Sequence, residues 1–333
     1  MIRRVPDPFF IVGNDRSGTT MLRLILDAGP DVAIPPESMY LTDFAPVREK
    51  GGPADAEAAQ ELARLAWEHP KVALWELPGG PPAVPLSGDA ASWFRFAMEA
   101  PFAAYARKFG KPGWADKTPH YVHHVDYLLS VWPEARVVVL VRDGRDVALS
   151  LKRMPFGPNN AWAAAQWWAR GVHAGRKAVA RHPDRVVCVR YEDIVADPEA
   201  EIRALCGFLG LRFEPAMLDL QRVDRSRIVP DQVSWFPTIF EGIGSDAVER
   251  WRREMSPRDQ RTFAALAGDE LIAHGYEPGP AEPVSERRAK WLHRQNQLIR
   301  NVNFIRLRVF QERGRELRFA LMRRIRDPYR GSR

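Results

Sequence analysis

An apolar run, Phe9-Phe10-Ile11-Val12, leads into Gly13-Asn14-Asp15-Arg16-Ser17-Gly18-Thr19-Thr20, a stretch with no apolar side chain and two glycines. Met21-Leu22-Arg23-Leu24-Ile25-Leu26 then continues as a helix, stopped by Gly29-Pro30. A short unbroken apolar run predicts a strand buried on both faces, as in a parallel sheet. The pattern returns: 136–141 is a strand, Arg142-Asp143-Gly144-Arg145 a turn, and 146–152 a helix. It returns once more, with a strand at 186–190 and a helix from Pro198 to about Leu209. Asp197 suits the N-cap of that helix and Pro198 its first turn. Three such units predict an α/β fold: an open, mainly parallel sheet with helices on both faces. Ligands are then expected at the carboxyl ends of the strands.

The segments between these units are less regular. Residues 43–113 are read as a helical and loop insertion: a helix from Ala54 to Trp67, then Leu77-Pro78-Gly79-Gly80-Pro81-Pro82, whose proline and glycine density marks a loop. A second loop, 154–160, precedes a helix bearing Trp162, Trp167 and Trp168, and a third covers 225–246. These loops either overhang the strand ends and shape a substrate cavity or are plain surface connections. Residues 1–284 read as one domain and 285–333 as an extension of another kind. In the extension Trp291, Leu298 and Ile305 are seven apart, as are Val302 and Val309, and Leu317, Leu321 and Ile325 follow at helical spacing among arginines. That is a basic amphipathic helix or helix pair.

With 333 residues, 45% apolar and 27% charged, the chain has a globular balance and enough length for a full core. No apolar run approaches the 20 or so residues of a membrane span. Charge and proline near the start do not read as a secretory signal. The two cysteines, Cys188 and Cys206, make no disulfide framework, and Cys188, inside an apolar run, is expected to pack as a plain thiol. The expected compartment is the reducing cytoplasm. Net charge is +7, but residues 285–333 hold 15 of the 49 basic and 4 of the 42 acidic residues, leaving 34 and 38 elsewhere. The body is thus mildly acidic, and nucleic acid is not an expected partner. The basic extension suits three roles: peripheral attachment to an anionic membrane, pairing of subunits as a homodimer, or packing on its own acidic body.

The chemistry gathers at two turns. Gly13-x4-Gly18-Thr19-Thr20 has the glycine spacing of a phosphate-cradling P-loop. Nucleotide triphosphatases carry lysine after the second glycine, then Ser/Thr on magnesium. Here Thr19 stands in the lysine place, and the positive charge is at Arg16. Backbone N–H groups, a helix N-terminus and two hydroxyls still converge on an anion. With no clear magnesium partner, the loop suits a sulfuryl rather than a phosphoryl group. The alternative is a P-loop small-molecule kinase using ATP and magnesium. No Cys/His/Asp cluster has zinc-ligand spacing.

Asp15-Arg16-Ser17-Gly18-Thr19-Thr20 resembles the phosphosulfate loop of sulfotransferases that use 3'-phosphoadenosine-5'-phosphosulfate (PAPS), with arginine as in the bacterial, carbohydrate and tyrosylprotein branches. Residues 141–150 resemble that family's 3'-phosphate segment, which implies that Arg142 and Ser150 grip the 3'-phosphate. Arg190-Tyr191-Glu192-Asp193 resembles the nucleotide-contacting tyrosine segment, and Glu249-Arg250-Trp251-Arg252 and His274-Gly275-Tyr276-Glu277-Pro278 resemble features near the end of bacterial members. The resemblance runs over roughly 8–280. It implies a P-loop NTPase-like fold and a nucleotide site of Arg16, Ser17, Gly18, Thr19, Thr20, Arg142, Ser150, Tyr191 and Arg250. It also implies PAPS as co-substrate, adenosine 3',5'-bisphosphate (PAP) as product, no metal, and an acceptor hydroxyl on a sugar, lipid or secondary metabolite.

The resemblance also points to catalytic groups. In the tyrosylprotein branch a glutamate after the first helix is the base, and Glu37 in Pro35-Pro36-Glu37-Ser38 matches it. A carboxylate beside bound anions is expected to have a raised pKa. The rival lies in Asp116-Lys117-Thr118-Pro119-His120: cytosolic members have Lys-Thr-His, and here Pro119 fills the histidine place with His120 one residue later. Lys117 fits a donor to the leaving oxygen, beside Arg16.

Overall fold

In a computed structural model that describes residues 5–154, 156–224, 227, 240 and 242–310, the strands β1 (Phe9–Gly13), β2 (Val32–Ala33), β3 (Gly113–Lys117), β4 (Arg136–Val141) and β5 (Val186–Arg190) form one sheet. Its order is β2-β3-β1-β4-β5 and every pairing is parallel. β1 is central: Phe9 to Gly13 lie opposite Arg136 to Leu140, and Phe9 to Ile11 opposite Ala115 to Lys117. Its alternate residues feed two cores, Phe10 and Val12 one, Phe9 and Ile11 the other. A strand packed on both faces has no polar positions to offer, which is why it reads as an unbroken apolar run.

One face carries α1 (Thr19–Ala28) after β1. Between β2 and β3 come α2 (Tyr40–Asp43), α3 (Ala45–Glu49), α4 (Ala56–Trp67), α5 (Pro70–Ala73) and α6 (Ala90–Lys108). α4 and α6 pack in the core of Phe10 and Val12, so much of the stretch read as an insertion is a layer of the sheet domain. α7 (Val125–Val131) follows β3, and α8 (Gly144–Leu151) and α9 (Ala161–Arg181) follow β4, on that same face. α10 (Tyr191–Ala196) and α11 (Pro198–Leu209) follow β5, and α12 (Trp251–Glu254), α13 (Pro257–Ala273) and α14 (Glu286–Phe310) close the described chain. β1 leaves through α1 on one face toward β2, while β4 leaves through α8 and α9 on the other toward β5. Adjacent strands whose connections part in this way open a crevice at their carboxyl ends.

Some expectations change. β2, β3 and α10 had no signal in the apolar pattern. Cys188 is exposed rather than packed, because β5 is an edge strand. α14 turns Leu292 and Asn296 inward, while Trp291, Leu298 and Val302 are exposed, so the described part of the apolar stripe does not pack on the body. Most of the 225–246 loop, the side chains of Ile305 and Val309, and residues 311–333 lie outside the described residues. Among the described residues no helix is long and apolar enough to cross a membrane.

Candidate active site

The Gly13–Gly18 loop leaves β1 in the crevice. The Ser17 N–H donates to Asn14 O at 3.2 Å, tightening the turn. Gly18 takes φ +94 at the start of α1, and a Cβ there would run into the Tyr191 ring, so the glycine is needed twice over. Asn14 Nδ2 donates to Trp168 O at 3.0 Å, tying the loop to α9. Thr19 and Thr20 are buried, and the buried Ser17 hydroxyl has no hydrogen-bond partner among the described residues. Buried polar atoms are ordinarily paired, so an orphan hydroxyl in this loop fits a site for a polar ligand.

The second turn meets the first. Arg142 Nη1 donates to Arg16 O at 3.2 Å, and Arg16 Nε donates to Ser150 Oγ at 3.0 Å. The Arg142 guanidinium lies 4.6 Å from the centre of the Tyr191 ring and also donates to Ala247 O, and its buried Nε is a further orphan among the described residues. Burial, then the charge of Arg142, pulls the Arg16 pKa down. Two crowded guanidiniums are relieved by an anion between them. Behind this turn Glu192 accepts from Asp143 N at 2.9 Å and from Tyr276 OH at 2.7 Å, so the 274–278 segment braces it. Trp251 N donates to Asp146 Oδ1 at 2.8 Å, and next to it Arg250 donates from Nε and Nη2 to the Glu254 carboxylate, each at 2.9 Å.

Glu37 and Lys117 form the third group: Lys117 Nζ is 2.6 Å from Glu37 Oε1 and 3.3 Å from Thr20 Oγ1. Two clamps fix the Glu37 turn. From α1, Arg23 Nη1 donates to Ile34 O at 2.9 Å, and Ile34 N donates to Asp27 Oδ1 at 2.9 Å. From the end of β3, the Thr118 hydroxyl accepts Ser38 N at 3.1 Å, and the Ser38 hydroxyl lies 3.0 Å from Tyr121 OH. Burial pushes the Glu37 pKa up, but the Lys117 charge and hydrogen bond outweigh it and the net direction is down. The expected rise concerns Glu37 beside bound anions; beside Lys117 the direction is down. His120 is exposed on the 3-10 turn Pro119–His124, its ring beside those of His123 and His124, and it makes no hydrogen bond with Glu37 or Lys117. The Arg23–Asp27 clamp was not legible beforehand. Its only sequence signal is an arginine that interrupts an apolar helix face; in the structure that arginine is 2% exposed.

Three carboxyls near these groups hold their protons unusually tightly. Burial pushes Asp116 to about 7, with one oxygen unpaired among the described residues. Asp15 is raised to about 6 by burial and then by Glu37, and Asp146 to about 6 by burial. The ordinary value for each is 3.8, so their stabilising contribution is whole below about pH 4 and is lost as pH rises toward the folded values. His123 and His124, held low by burial and neighbouring histidines, act in the opposite sense below about pH 6.5. Asp116→Asn isolates one carboxyl. On going from about pH 7.5 to about pH 5.5, the thermal midpoint of the wild type should gain at least about 2 °C relative to this variant. Parallel midpoints would remove Asp116 from the account.

The sheet order and the helices on both its faces put the fold in the class of open parallel α/β sheets. Within that class the chain belongs to the sulfotransferase family, whose model matches residues 8–215. It is 27% identical to nodulation protein NoeE of Sinorhizobium fredii over 80% of this chain and 65% of that protein, so it spans less than two thirds of that relative. It is 25% identical to protein-tyrosine sulfotransferase 1 of Danio rerio over 82% of this chain and 73% of that one. The fold matches the sulfotransferase domain from the curacin biosynthetic pathway with a TM-score of 0.53 at 20% identity, covering 83% of this chain and 99% of that domain. The domain from the Synechococcus PCC 7002 olefin synthase also gives 0.53, at 24% identity over 81% and 97%. The kinase alternative finds no support in these comparisons.

Proposed function

We propose that this chain moves the sulfuryl group of PAPS to an acceptor hydroxyl and releases PAP. The observation that carries the reading is the meeting of Arg16, Ser150 and Arg142 across the β1–β4 crevice. Arg142 and Ser150 take the 3'-phosphate; Arg16, the loop N–H groups, Ser17, Thr19 and Thr20 take the phosphosulfate. Arg250 reaches the nucleotide by exchanging Glu254 for it. Tyr191 supports Arg142 through the face of its ring.

Glu37 takes the acceptor proton as the new O–S bond forms and the S–O bond to the 5'-phosphate breaks in line. The phosphate oxygen leaves as an anion, and Lys117 and Arg16 stabilise that charge. Lys117 serves both partners in turn. With the donor bound, its ammonium is drawn to the phosphosulfate, and Glu37, relieved of its cation and facing anions, becomes a stronger base. The acceptor belongs to the hydroxyl-bearing class, a sugar, lipid, phenol, peptide or secondary metabolite, and the tyrosine named in one relative speaks for the phenol.

Calorimetry tests the donor site. PAP should bind much more tightly than ATP with magnesium, because only PAP presents a 3'-phosphate to Arg142. Tight binding of ATP alone would overturn the reading. A screen of acceptors for transfer of a radiolabelled sulfuryl group from PAPS then identifies the class.

A further inference from the structure

We propose that the outward face of α14 docks on an anionic lipid surface. The inference does not depend on the catalytic reading. One face of α14 is already engaged: Leu292 and Asn296 are buried, Asn296 Oδ1 accepts Asn159 N at 3.0 Å, and Asn160 Nδ2 donates to Leu292 O at 2.9 Å. The helix is therefore held on the body in a fixed rotation. At about 100° per residue, Trp291, Leu298 and Val302 share a separate face. They are 59%, 66% and 40% exposed, a set of large apolar side chains left open among the described residues.

Charge selects the occupant. Arg287 and Arg294, one turn before and after Trp291, are exposed on the flank of the stripe. Residues 285–333 carry 15 basic and 4 acidic residues, while the rest of the chain carries 34 and 38. A second copy seated on this stripe would bring the same arginines against each other. The acidic body is in contact with the other face. A surface of phosphates and carboxylates over an apolar layer satisfies both the arginines and the stripe, with the indole of Trp291 at the boundary. With no described helix able to span a bilayer, α14 lies along the surface rather than through it.

The test is flotation of the full-length protein with phosphatidylcholine vesicles, with and without about a third phosphatidylserine. The protein should float with the anionic vesicles only, and salt should weaken this. Trp291→Glu with Leu298→Glu, and separately Arg287→Glu with Arg294→Glu, should each lower the partition coefficient at least about tenfold. Both variants should bind PAP as the wild type does, since none of the four residues reaches the crevice. Equal flotation with neutral vesicles, or wild-type flotation by either variant, would overturn the proposal. So would a Trp291/Leu298 variant that floats normally but loses a dimer by light scattering, which would make the stripe a subunit contact.

Discussion

Glu37→Gln is expected to lower turnover by about a hundred- to ten-thousandfold while PAP binds as before. The amide is close in shape to the carboxylate but cannot take a proton. The Ile34 and Ser38 clamps hold the backbone on either side, so the turn keeps its place in the variant. The measurement is PAP release from PAPS with any acceptor that supports wild-type turnover, beside calorimetry with PAP. Because Lys117 holds the Glu37 pKa below its ordinary 4.5 before the donor binds, kcat/KM for PAPS should show no loss from this group until pH falls below that value. Unchanged turnover would take the proton from Glu37 and give it to His120 or to water.

Arg142→Ala is expected to weaken PAP by about thirty- to three-thousandfold, the range for deleting one partner of a buried charge pair. Adenosine 5'-monophosphate, which lacks the 3'-phosphate, should lose little. That contrast matters because Arg142 also donates to Arg16 O and Ala247 O and could loosen the crevice when removed. Equal losses for both nucleotides, or a collapsed thermal midpoint, would mean the arginine shapes the cleft instead of reading the phosphate. Arg142→Lys should fall between, since the ammonium keeps the charge and loses the planar fork.

The parts of this fold legible in the sequence were those whose burial is local. β1, β4 and β5 announce themselves as apolar runs, and the glycine loop and arginine turn follow directly from them. β3 did not: Gly113-Trp114-Ala115-Asp116-Lys117 ends in two charged residues that are buried only because β1, β2 and the Glu37 turn surround them. Arg23 and Asp27 were illegible for the same reason. On a helix their i,i+4 spacing looks like a solvated pair, and only the return of the chain at Ile34 turns them into a clamp. Cys188 misled in the other direction, since an edge strand can be apolar in composition and open to water. In α14 the seven-residue spacing points to an apolar face. It could not say which face meets the body, because that depends on Asn159 and Asn160, just before α9.

β1 has a kinetic consequence. Both of its neighbours arrive more than a hundred residues after it, so the glycine loop has no sheet to stand on while the early chain is being synthesised. Closing such distant pairings is slow, and the loop entropy has to be overcome before any contact rewards it. The N-terminal third contains the whole glycine motif, while Arg142, Ser150 and Tyr191, the rest of the proposed nucleotide site, are still to come. On the proposed reading the ligand site thus comes into being with β4 and β5, the last strands, rather than with the first.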